Sequence, residues 1–122
     1  MAALSETCIL IVEDEPIIAL DLASLVRETG ADVLGPAMTL REAEILSCDD
    51  RIVIALLDIR IGKGTITHVA TKLADRGVAL IFHTGHENAE SLLRQWPESR
   101  VLAKPARADD LLRVLGDFAG RR

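Results

Sequence analysis

Ile52-Val53-Ile54-Ala55-Leu56-Leu57-Asp58 is apolar for six residues and then stops on a carboxylate. A strand with one face in water alternates apolar and polar side chains, and this run does not. Unbroken apolar strands belong where both faces are covered, as in a parallel sheet between two layers of helices. Working outward, four more short apolar runs flank it: Cys8–Val12, Asp32–Gly35, Ala79–Phe82 and Val101–Ala103.

Helical signals fill the intervals. Pro16 suits a first helical position and Gly30 a stop, so a helix is predicted over Pro16–Thr29, with Ile18, Leu22 and Leu25 on its inner stripe. Thr39-Leu40-Arg41-Glu42 reads as a capping box that opens a second helix. Ile66, Val69 or Ala70, and Leu73 mark a third, closed by Gly77. A fourth runs from about Asn88 to Trp96, before Pro97. Leu111, Leu115 and Phe118 stripe a fifth, with Gly120 beyond. Five strand–helix repeats give an α/β doubly wound domain with a five-stranded parallel sheet and five helices. The whole chain, 1–122, is read as a single domain with its core over about 8–118 and no output domain.

The bulk composition narrows the function. With 49% hydrophobic and 27% charged residues, the balance is that of a soluble globular domain. A net charge of -5 with scattered Lys and Arg argues against a nucleic-acid surface, which needs a clustered basic face. Cys8 and Cys48 are too few for a disulfide framework and are expected as reduced thiols. No stretch has the length of a membrane span or the layout of a secretory signal, so a cytoplasmic location is expected.

Polar residues follow the strands with a pattern of their own. Glu13-Asp14-Glu15 comes after the first, Asp58 after the third, Thr84-Gly85 after the fourth and Lys104-Pro105 after the fifth. In a doubly wound sheet these carboxyl ends gather at one edge. A glycine-rich loop there would present bare amides to a phosphate; three carboxylates would repel one unless a cation intervened. An all-oxygen donor set favours a hard ion, and Mg²⁺ commonly takes one or two carboxylates together with phosphate oxygens. Acids beside a lysine and a threonine therefore point to phosphoryl chemistry organised by Mg²⁺.

Val12-Glu13-Asp14-Glu15-Pro16, Leu56-Leu57-Asp58, Thr84-Gly85 and Lys104-Pro105 resemble, in order and spacing, the signature of response-regulator receiver domains of two-component signalling. The resemblance spans Cys8 to Phe118. It implies a flavodoxin-like strand order of 2-1-3-4-5 and a stand-alone receiver that catalyses only its own phosphorylation and dephosphorylation. Asp58 would be the phospho-acceptor, and Glu13, Asp14, Asp58 and the backbone carbonyl of Arg60 would bind Mg²⁺. Thr84 would hydrogen-bond the phosphoryl group, Lys104 would pair with it, and the Lys104–Pro105 peptide would be cis. The implied partners are a histidine kinase or histidine phosphotransfer protein and a downstream protein, with neither nucleic acid nor membrane.

The chain departs from that pattern in several places. Val101 stands where most receivers carry Tyr or Phe, and Ala106 where many have an aromatic. Phe82-His83-Thr84-Gly85 resembles a receiver subgroup with a Phe-Ala-Thr-Gly signature, often stand-alone, with His83 replacing the small residue. His83, His86 and His68 are assigned ordinary polar or packing roles, and Trp96 is either a packing anchor or an exposed part of the partner face, with the scarcity of aromatics favouring the interface. Three other readings compete. An Asp-nucleophile Mg²⁺-dependent phosphatase of the haloacid-dehalogenase kind needs a second Asp where this chain has Arg60, and normally a cap domain. A flavin binder on the same fold is opposed by the acidic first loop and scarce aromatics. A degenerate receiver used only as an interaction module is opposed by the intact acids, Thr84 and Lys104.

Overall fold

The apolar run forms the middle strand of the sheet, where both of its faces are covered. The computed structural model describes residues 4–85 and 89–119. Its elements are β1 (Cys8–Val12), α1 (Pro16–Glu28), β2 (Asp32–Ala37), α2 (Leu40–Leu46), β3 (Ile52–Leu57), β4 (Arg60–Ile61), β5 (Gly64–Thr65), α3 (Thr67–Asp75), β6 (Ala79–Thr84), α4 (Ala89–Gln95), β7 (Arg100–Ala103) and α5 (Ala108–Ala119). Five strands make one parallel sheet in the order β2-β1-β3-β6-β7. With the short antiparallel pair β4-β5 set aside, this is the expected 2-1-3-4-5. Among the described residues no helix is long and apolar enough to cross a membrane.

Strand parity sorts the core into two layers. Leu10, Val12, Ala55, Leu57, Leu80 and Phe82 face α2, α3 and α4 through Ala43, Val69, Ala70, Leu73 and Leu92. Ile9, Ile11, Ile54, Leu56 and Ile81 face α1 and α5 through Leu22, Ala23, Val26, Leu111, Val114 and Leu115. The parity of β3 slips once. Cys8 pairs with Ile52 but Ile9 pairs with Ile54, so Val53 is an extra residue and lies on the same side as Ile54.

Most boundaries follow the sequence, and the differences have local causes. Thr39 caps α2 by accepting the Glu42 amide at 3.0 Å, but the returning Glu42 carboxylate takes the amide of Met38 at 2.7 Å rather than that of Thr39. Strand β2 does not stop at Gly35; it continues to Ala37 through a cis Gly35–Pro36 peptide, and Lys104–Pro105 is also cis. Gly35 has φ +105°, and a Cβ there would lie 2.7 Å from the Ala37 nitrogen and 2.8 Å from the Ile11 oxygen. Only glycine fits that backbone. β6 runs two residues past Phe82 to Thr84, and β7 begins one residue earlier than expected, at Arg100. The β4-β5 pair has no counterpart in the sequence reading. The predicted start of α4 at Asn88, His86 and the stop at Gly120 lie outside the described residues.

Of the two roles the sequence offers Trp96, packing anchor or partner face, the structure shows the packing contact. Trp96 is half-buried, with its ring 5.1 Å from that of Phe82 at an interplanar angle of 40°. Phe82 is fully buried in the sheet, so the tryptophan closes the α4 end of one core layer.

Candidate phosphoryl and metal site

Backbone hydrogen bonds carry the sheet one residue past its strand ends, and this fixes where the polar side chains emerge. The Glu13 amide donates to the Ala37 oxygen at 2.9 Å, the Asp58 amide to the Val12 oxygen at 3.0 Å, and the Lys104 amide to the Thr84 oxygen at 2.9 Å. The Gly35 bulge gives β2 the reach to offer Ala37 to Glu13. The site is therefore built on sheet backbone rather than on free loops, which favours a fixed geometry.

Lys104 reaches across from β7 into the acids. Its Nζ lies 2.8 Å from Asp58 Oδ2, 3.1 Å from Glu13 Oε1, 3.3 Å from Glu13 Oε2 and 3.5 Å from Glu15 Oε1. Glu13, Asp14 and Asp58 each present a carboxylate oxygen, and these atoms all lie within 4.8 Å of one another. Glu13 is fully buried and Asp58 nearly so. Asp14 is more open, and its Oδ2 accepts the Gly62 amide at 2.9 Å, which ties the β4-β5 hairpin to the cluster. Thr84, Gly85, Arg60 and Glu15 line the same cleft as Asp14, Asp58 and Lys104.

The electrostatics follow from burial and proximity. Burial pushes the Asp58 carboxyl up; Lys104 pulls it down and the charge of Glu13 pushes it up again, leaving it above the ordinary aspartate range. Burial also pushes Glu13 up, but His83, the Glu15 amide and Lys104 together outweigh it and hold that group below the glutamate range. Burial alone would lower Lys104, yet contact with Asp58 and Glu13 holds its ammonium above the usual lysine value. Glu13, Asp14 and Asp58 cluster together, and the one partly buried ammonium touches only two of them, Glu13 and Asp58. A hard divalent cation fits such an all-oxygen set.

The structure thus brings together Glu13, Asp14, Asp58, Arg60, Thr84 and Lys104, the residues singled out from sequence. His86 lies outside the described residues, and His68 is exposed on α3. Two neighbours had no assigned role at the site. Glu15 contributes a third carboxylate to Lys104, after Asp58 and Glu13. His83, given an ordinary polar or packing role, is nearly fully buried, with Nδ1 3.6 Å from Glu13 Oε1 and Nε2 accepting the Ala106 amide at 3.3 Å. Strand parity carried the signal: His83 falls on the side of Ile81, as Glu13 falls on the side of Ile11.

No family model matches the chain. It is 39% identical over 109 residues to the phyllosphere-induced regulator PhyR of Methylorubrum extorquens, an alignment that covers 86% of this chain and 40% of that protein. The chain thus spans well under half of that relative. The solved PhyR stress response regulator superposes with a TM-score of 0.77 at 35% identity, over 95% of this chain and 47% of that one. The PhyR receiver domain of Erythrobacter litoralis gives a TM-score of 0.82 at 24% identity, covering 95% and 92% of the two chains.

Proposed function

The chain is a receiver domain of the response-regulator type, as in PhyR, and from that premise we propose that it accepts a phosphoryl group on Asp58 from a phosphohistidine of a kinase or phosphotransfer protein. The observation that carries the reading is the contact of Lys104 with Asp58 at 2.8 Å inside the acid cluster. An Asp58 oxygen forms the new bond to phosphorus while the P–N bond of the donor breaks, and the imidazole leaves with its electron pair and takes a proton from solvent. Lys104, freed from Asp58 as that carboxylate becomes an acyl phosphate, meets the charge spreading onto the equatorial oxygens. Thr84 lines the cleft from the strand next to Lys104 and offers its hydroxyl to the same oxygens.

Mg²⁺ fits the donor set, with Glu13, Asp14, Asp58 and the Arg60 carbonyl as its protein partners; when bound it supplies neutralising charge for the incoming phosphoryl group. The domain turns over no free substrate and acts by changing the surface it offers a downstream partner. Incubation with acetyl phosphate and Mg²⁺ should add one base-labile phosphate per chain, read by intact mass. Asp58→Asn should abolish it, and equal labelling of that variant would overturn the assignment.

A further inference from the structure

We propose that His83 is a positioning residue that holds Glu13 in place when Lys104 turns to a phosphoryl group on Asp58; this rests on the function proposed above. Lys104 has three ammonium protons. They face four carboxylate oxygens: one of Asp58, both of Glu13 and one of Glu15. A phosphoryl group adds further acceptors to the same competition. Glu13 Oε2 keeps a second donor, the Glu15 amide at 3.2 Å. Glu13 Oε1 does not. Once Lys104 turns away, a carboxylate oxygen shut off from water would be left without a donor, which is costly in a buried site.

His83 supplies that donor. Its Nε2 accepts the Ala106 amide, which leaves the ring proton to Nδ1, the nitrogen 3.6 Å from Glu13 Oε1. Among the described residues both Nδ1 and Oε1 are buried and make no hydrogen bond, Oε1 having only its ion-pair contact with Lys104 at 3.1 Å. Their 3.6 Å separation needs to close by only roughly 0.5 Å to make a normal hydrogen bond. The other end of the ring is fastened to the loop that follows Lys104 and Pro105, so movement of that loop with the lysine carries the imidazole along. His83 therefore links the lysine-bearing loop to the acid cluster through a single rigid ring.

The two ends of the ring can be tested separately. In His83→Asn an amide N–H replaces Nδ1–H; in His83→Gln the amide reaches the position of Nε2 and the donor to Glu13 is lost. With acetyl phosphate and Mg²⁺, His83→Gln and His83→Ala should label about tenfold more slowly than the parent chain, and His83→Asn within about threefold, the difference being one buried donor. Thermal midpoints identify a variant that merely fails to fold, and the Asn and Gln pair decides the matter if His83→Ala is lost. Imidazole ¹⁵N spectra of the unphosphorylated, metal-free protein supply a readout independent of labelling. They should show a protonated Nδ1 and a bare Nε2, and a proton on Nε2 would overturn the proposal. Parent-like labelling in every His83 variant would sink this inference alone. A parent chain that takes no phosphate would sink the receiver reading, and this one with it.

Discussion

At the scale of single residues, the chain uses charge in two contrasting ways. Around Lys104 the acids outnumber the cation, and two of them, Glu13 and Asp58, are buried. In the turn before β3 a single acid is over-supplied: the backbone amide, Nε and one terminal nitrogen of Arg51 all donate to Asp49, at 2.9, 3.1 and 2.7 Å. Those bonds hold the Asp49 carboxyl at about 2, down from 3.8. The direction sets the pH window. A depressed acid stabilises the fold fully above its unfolded value of 3.8, and that contribution fades as the pH falls toward about 2. An NMR titration of Asp49 should find its midpoint near that lower value, and Arg51→Ala should move it back toward 3.8. An unmoved midpoint would show that Arg51 is not the cause. Asp58 and Lys104 were legible in the sequence because each follows an apolar strand directly. His83 was not read as Glu13's neighbour, because its partner lies two strands away across the sheet and only the parity of both strands brings them to one face.

At the scale of elements, strand placement was easier to read than strand endings. The apolar runs locate the five strands, but β2 and β6 continue past them. Gly35-Pro36 has the composition of a chain break, yet the sheet accommodates it as a bulge that carries Ala37 up to the Glu13 amide. The β4-β5 hairpin left no periodic signal, being two residues on each side, and it is fastened to the cluster from outside through Asp14. The capping box was legible as a motif, while its return bond shifted by one residue, to Met38. Gly35→Ala should cost at least about 2 kcal/mol, because a side chain is forced into a left-handed backbone conformation against two close backbone atoms. Urea denaturation measures it, and a loss below a few tenths of a kcal/mol would show that the bulge relaxes without strain.

At the scale of the whole molecule, the sheet separates two apolar layers that must form together. Ile9 and Leu10 are adjacent, each fully buried, and they point into opposite layers. Ile9→Ala and Leu10→Ala should each lower stability by about 2–5 kcal/mol. Both should shift one cooperative transition, as expected of a small domain. Trp96 reports the layer under α2, α3 and α4, whereas circular dichroism reports the whole chain. If Ile9→Ala shifted the dichroism curve and left the Trp96 fluorescence curve where it was, the layers would be unfolding separately.

The two cysteines differ in a way that has practical use. Cys8 is buried at the start of β1, and burial raises its thiol further from reactivity. Cys48 is exposed in the turn that leads into β3, at the amino end of the sheet, while Asp58 and Lys104 emerge at the carboxyl end. A maleimide fluorophore or spin label therefore has one open attachment point in the native sequence, on the rim away from the chemistry. The molecule can be tethered or watched from there without a dye competing for the cleft.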